Sequence, residues 1–146
     1  MSKTKRSLNI FLCHAHSDRE TVHNLYRRLL ENGVHAWLDS ESLQPGQNWQ
    51  HEIRKAILNR DVVLVCLSQK FNEQHGYRHE ELKLALEKAN LLEAGEIFII
   101  PVRLEKCDMP ESLSHLHRVD IFEPTGFRKL LRTLKKLEET LSANLR

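Results

Sequence analysis

Residues 71–87, FNEQHGYRHEELKLALE, hold the pairing in this chain with the clearest chemical potential. Tyr77 and Glu81 stand four apart, so on a helix they share one flank. Leu82, Ala85, Leu86 and Ala89 repeat at helical spacing and predict a buried stripe on a helix that opens near Tyr77. An aromatic side chain one turn from a carboxylate, at a strand-to-helix connection, is a candidate site. The plain alternative is a solvated surface glutamate, which is what most helix glutamates are. A lone carboxylate suits cleavage of a glycosidic bond, because positive charge develops on the sugar as the bond breaks. At about 4 Å and an effective dielectric near 20 the attraction is about 4 kcal/mol. That is roughly a thousandfold in rate if it acts in the transition state alone. Glu81 is therefore sufficient as a main catalytic residue, which does not make it one.

Other chemistries fit less well. His14-Ala15-His16-Ser17 follows the first apolar run, where a glycine-rich phosphate loop would stand. That argues against a Rossmann dinucleotide site and against a P-loop. The third apolar run ends in Cys66-Leu67-Ser68, without the phosphoacceptor aspartate of a receiver domain, and no G-x-S-x-G elbow occurs. His14 and His16, like His115 and His117, lack the spacing of a strong zinc motif, so no metal is expected. Cys66 lies in an apolar run with no activating partner and reads as core, not as a nucleophile.

The elements that must position these residues follow from hydrophobic periodicity. Residues 8–14, LNIFLCH, read as a strand buried on both faces. Ser17 or Asp18 can cap the next helix, whose inner face is Val22, Leu25, Tyr26, Leu29 and Leu30. Asn32-Gly33 ends it. Residues 34–38 read as a second strand, and 39–48 as a loop turned by Pro45-Gly46. Trp49, Ile53, Ala56 and Ile57 form the inner face of the helix that follows. Residues 61–67, DVVLVCL, are the most apolar run and predict a central strand. Gly95 breaks the chain before a fourth strand at 97–104, in which Pro101 suggests a strand end or a distortion. A loop over 107–117 leads to a fifth strand at 119–122. Thr125 caps a last helix with Phe127, Leu130, Leu131, Leu134, Leu137 and Leu141 inward.

Alternating strands and helices predict an α/β, flavodoxin-like three-layer fold. Its five-stranded parallel sheet takes the order 2-1-3-4-5, with right-handed crossovers and helices on both faces. Ligands of such sheets bind beyond the carboxyl ends of the strands where the order reverses, here between the first and third. Residues 14–18 and 68–71 stand at those ends, and the loop 39–48 flanks them. The helix of Tyr77 and Glu81 follows the third strand directly, so topology brings it to the same crevice.

The chain has 146 residues, the length of one domain, read as 8–143 with a basic tail at 1–7. A net charge of +2 gives no argument for nucleic acid. Arg128, Lys129, Arg132, Lys135 and Lys136 on the last helix read as a solvated face. The apolar runs are too short to span a membrane. The cysteine count is odd, at three, with two of them inside apolar runs. This favours a reducing compartment and a cytoplasmic protein.

In order along the chain, IFLCHAHSD (10–18), GVHAWLD (33–39), LQPGQNW (43–49), the run 62–68 ending in serine, YRHEE (77–81) and IFIIPVRLE (97–105) resemble the boxes of a TIR (Toll/interleukin-1 receptor) domain. The resemblance covers about residues 8–141 and is closest in style to bacterial members. It implies an NAD+ glycohydrolase that releases nicotinamide and leaves ADP-ribose or a cyclic isomer, with NAD+ as substrate and no further cofactor. Glu81 takes the catalytic position, with Glu80 as its neighbouring alternative. Tyr77 takes a position often held by tryptophan and packs against the substrate. His14, Ala15, His16, Ser17 and Ser68 line the ribose and phosphate region. Asp39 and Trp49 shape the side bordered by the loop, although Asp39 also suits a turn and both Trp49 and Trp37 suit a core. Partners are expected in self-association through TIR–TIR contacts and in a sensor domain or protein, in bacterial antiviral defence. The alternative is a non-enzymatic scaffold that assembles through its loop and helix faces, with Glu81 a bystander.

Overall fold

The structure is a computed structural model that describes residues 8–37, 46–73, 77–92 and 96–143; at 37, 49, 50, 53, 77–81 and 143 it describes the backbone alone. Its elements are β1 (Ile10–Cys13), α1 (Arg19–Glu31), β2 (Ala36–Trp37), α2 (Trp49–Asn59), β3 (Val62–Leu67), α3 (Gln69–Glu73), α4 (Tyr77–Asn90), β4 (Ile99–Arg103), β5 (Val119–Asp120) and α5 (Gly126–Ala143). Single turns of 3-10 helix occur at His16–Asp18 and Glu111–Leu113. The tail 1–7, Asp39, Pro45 and Gly95 lie outside the described residues.

The strands stand in the order β2-β1-β3-β4-β5, and every neighbouring pair is parallel. Most of the sheet is β1, β3 and β4, which are buried along their whole length. The edge strands are shorter than the sequence predicts. β2 is Ala36–Trp37, where a strand over 34–38 was expected, of which 38 lies outside the described residues; β5 is two residues, where 119–122 was expected. Each pairs on one side only, so no second ladder extends it. The β3 ladder is long because Val62 to Leu67 present apolar side chains to both layers at once.

Alternation along these strands divides the core in two. Ile10, Leu12, Leu64, Cys66 and Val102 face α1 and α5 through Val22, Leu25, Leu29, Leu130 and Leu134. Phe11, Cys13, Val63, Val65 and Leu67 face α2 and α4 through Ala56, Ile57, Leu82 and Ala85. Burying one such leucine contributes about 1.5–3 kcal/mol. Leu30, expected on the inner face of α1, is exposed instead. Its position is the last of the five along α1, where the apolar stripe has turned away from the sheet.

Pro101 sits in mid-strand in β4, opposite Val65. Leu104 donates to Leu67 on the β3 side, and Arg103 accepts from Ile121 on the β5 side. Pro101 shares the parity of Arg103, so its missing N–H points toward β5, whose pairing starts only at Val102. No ladder bond is lost there.

Candidate active site

β1 and β3 are adjacent, with Cys13 opposite Val65, and their carboxyl ends lie side by side. The chain leaving β1 makes a tight turn in which Asp18 N–H donates to the Ala15 carbonyl at 3.0 Å. His14 and Ala15 are buried at its inner side, His14 at 2% exposure, while His16 and Ser17 face solvent. His14 and Ala15 thus line the sheet edge from within, and His16 and Ser17 are the pair on its outer surface.

Ser68 closes β3 and is also 2% exposed. Its hydroxyl donates to the Asp18 carboxylate and accepts from Phe71 N–H at 3.0 Å. The second bond satisfies one of the otherwise unpaired amides that open α3. Gln69 N–H, another of them, donates to the Glu105 carboxylate at 3.0 Å. The Asn72 side chain donates to the Asp108 carbonyl at 2.9 Å. The start of α3 is therefore held from the turn after β1 and from the segment after β4.

Asp18 was expected as a possible cap of α1, but its side chain makes no cap hydrogen bond there. It turns to Ser68 instead, fifty residues away. Burial pushes its carboxyl above the usual range; the Ser68 hydroxyl opposes this, the Glu105 carboxylate adds to it, and Lys70 opposes it. Sequence reasoning placed Asp18 at this edge, as a possible cap, but missed its bond to Ser68 and missed Glu105 altogether. The available signal was topological: Asp18 follows β1 by five residues, Ser68 follows β3 by one, and the two strands are neighbours.

Cys66 points into the core, and burial pushes its thiol up to about 12. A thiol so protonated is no nucleophile at neutral pH. Among the described residues no group of three or more His, Cys, Asp or Glu could hold a metal, and no helix is long and apolar enough to cross a membrane.

Tyr77 is the first residue of α4, and Glu81 opens its second turn. The sequence placed the helix of Tyr77 and Glu81 directly after β3, but α3 stands between them; since β3 and β4 are parallel, α4 runs back along the sheet before β4, with its amino end on the carboxyl side of the strands. Trp49 is the first residue of α2, which is capped by Asn48 through a bond from His51 N–H at 3.2 Å. For Tyr77, Glu80, Glu81, Trp49 and Trp37 the backbone alone is described, and Asp39 lies outside the described residues.

The basic residues of α5 are exposed. Lys135 donates to the Asn32 carbonyl past the end of α1, at 2.9 Å. Lys129 and Arg132 border a groove of about 750 Å³ with Arg118 and His117, on the β5 side and away from the β1–β3 edge.

Residues 10–131 match the sequence profile described as the TIR domain. An archaeal protein described as "NAD(+) hydrolase TcpA", from Theionarchaea archaeon (strain DG-70-1), is 30% identical over 95 residues. The match covers 64% of this chain and 28% of that protein, so the chain spans little more than a quarter of its relative's length. The crystal structure of the TIR domain of the Toll-related receptor TRR-2 of Hydra magnipapillata superposes with a TM-score of 0.72 at 25% identity, over 86% of this chain and 97% of that one. The TIR domains of the activated Roq1 resistosome superpose with a TM-score of 0.58 at 28% identity, over 66% of this chain and 57% of that one.

Proposed function

We propose that this chain, which belongs to the TIR domain family, is an NAD+ glycohydrolase that cleaves the nicotinamide–ribose bond. The products are nicotinamide and ADP-ribose or a cyclic isomer. The observation that carries the reading is Glu81 in the second turn of α4, a helix whose amino end lies on the carboxyl side of the sheet. The likeness to a protein described as an NAD(+) hydrolase supports it.

In this mechanism the Glu81 carboxylate stands against the ribose of the nicotinamide half. As the C–N bond breaks, nicotinamide leaves with the bonding pair, and the carboxylate stabilises the oxocarbenium-like sugar. Water attacks the anomeric carbon to give ADP-ribose, or a nucleophile of the same ADP-ribose attacks to close a ring. Tyr77 packs against the substrate, with His16, Ser17, Asp39 and Trp49 around its remainder. His14, Ala15 and Ser68 support that edge from within. The reading includes bacterial antiviral defence, a cytoplasmic setting and a sensing domain or partner.

Self-association belongs to the same proposal. The likeness to the TIR domains of an assembled resistosome favours a chain that works alongside further copies. A pure scaffold is the competing reading.

The deciding experiment is nicotinamide release from NAD+ by the purified protein at high concentration, beside Glu81→Gln. Loss of one preorganised electrostatic contact is expected to lower the rate by about a hundredfold or more. Release that persists in the folded variant would remove Glu81 from the chemistry. No release from the assembled wild-type protein would favour the scaffold.

A further inference from the structure

The Asp18–Ser68 pair is not explained by the cleavage step. Asp18 makes no side-chain cap bond to its own helix, and its carboxylate is tied to the hydroxyl of Ser68, one residue past β3. That hydroxyl in turn accepts the Phe71 amide of α3. The bonds form one chain: Asp18 accepts from Ser68, and Ser68 accepts from Phe71. A hydroxyl that donates strongly is polarised and accepts better, so a charged acceptor on one side tightens the amide bond on the other.

The groups facing Asp18 come from three segments: Ser68 at the end of β3, Lys70 on α3 and Glu105 after β4. Glu105 also accepts from Gln69, so both acidic side chains converge on the first turn of α3.

We propose that Asp18 is a positioning residue: through Ser68 it sets the first turn of α3, the helix that precedes α4 and its Glu81. It touches neither substrate nor the reacting atoms. The idea rests on the glycohydrolase reading above.

The test uses the full chain with Asp18→Ala, Asp18→Asn and Ser68→Ala. Asp18→Ala is expected to lower kcat about tenfold, since small misplacements of a catalytic group are costly, with KM within twofold. Asp18→Asn keeps an acceptor for Ser68 and is expected to regain kcat to within about threefold. Ser68→Ala is expected to match Asp18→Ala, and the double variant to be no worse than either, because both break one chain of bonds. Melting temperature separates this from a structural role: each variant should be fully folded at the assay temperature. A kcat of Asp18→Ala within twofold of wild type would overturn the proposal. So would an equal loss in Asp18→Ala and Asp18→Asn, or a loss that follows the unfolded fraction.

Amide hydrogen exchange keeps the outcome decisive if the wild-type protein cleaves no NAD+. Asp18→Ala is then expected to speed exchange at residues 71–73 and 77–83 by about tenfold or more, with Asp18→Asn close to wild type. Unchanged exchange would overturn the positioning role. Failure of cleavage alone counts against the glycohydrolase reading.

Discussion

The Lys88 ammonium on α4 donates to the Leu58 carbonyl on α2 at 2.6 Å, and to the carbonyl of Arg60 at 2.8 Å. It also lies 4.5 Å from the centre of the Phe98 ring. The last carbonyls of a helix lack intrahelical partners and carry the negative end of its dipole, so a cation there is favourable. One side chain thus clips the far half of α4 to the end of α2, seven residues beyond Glu81.

Lys88→Met should keep the packing of the stem and remove the clip. A loss of about 1–2 kcal/mol is expected, within the range for hydrogen bonds to a charged group and reduced for partial exposure. Urea denaturation measures it. A change below a few tenths of a kcal/mol would mean that water replaces the ammonium without penalty.

Asp120 on β5 accepts from Arg103 Nε and from a terminal guanidinium nitrogen, both at 2.7 Å. The Arg103 guanidinium holds its carboxyl below the usual range. A lowered carboxylate contributes stability above its unfolded value of 3.8, and this is lost as pH falls through the folded value. Asp120→Asn is expected to cost about 1–2 kcal/mol near neutral pH. The difference from wild type should shrink below about pH 4 and close at still lower pH. A difference that stayed constant with pH would assign the loss to packing.

Gly126 begins α5 directly over the same strand. A Cβ there would lie 1.9 Å from the Asp120 carbonyl oxygen, a backbone atom with little freedom to move. Gly126→Ala should destabilise by about 2–3 kcal/mol, at the upper end of overpacking effects. A melting temperature equal to wild type would show that β5 can shift at no cost.

Alkylation probes the thiols. Cys66 is fully buried, with a thiol pushed up to about 12, and should resist iodoacetamide at pH 8 until the protein unfolds. Mass spectrometry of digested native and denatured samples reads this directly. Modification of Cys66 in the native protein at the rate of a free thiol would contradict the buried strand.

Much of the layered architecture was legible locally. β1, β3 and β4 are runs whose both faces are apolar, and such runs are stable only between two layers. The inner face of α5, and that of α1 apart from Leu30, followed from spacing, as did the opening of α4 near Tyr77, because helical periodicity is a property of neighbours in sequence. The short helix α3 was not expected. Its five residues carry almost no period, and what fixes their first turn is contact with Ser68 and Glu105. The edge strands were over-extended for a similar reason: apolar side chains at 34–38 and 119–122 fit a strand, but strand length also needs a partner in register.

The sequence by itself determined which residues could do chemistry and on which elements they ride. Tyr77 and Glu81 stand one turn apart on α4 because they are four apart in sequence, and α4 falls between β3 and β4 in the chain whatever the rest of the molecule does. The tertiary structure decided the partners. Asp18 could cap its own helix or bond elsewhere, and nothing within five residues chooses between these. The pairing of β1 with β3 brings Ser68 within reach, and a carboxylate takes the buried hydroxyl. Hydrogen bonds between side chains fifty residues apart depend on sheet order, which is a property of the whole packed core and not of any stretch of chain.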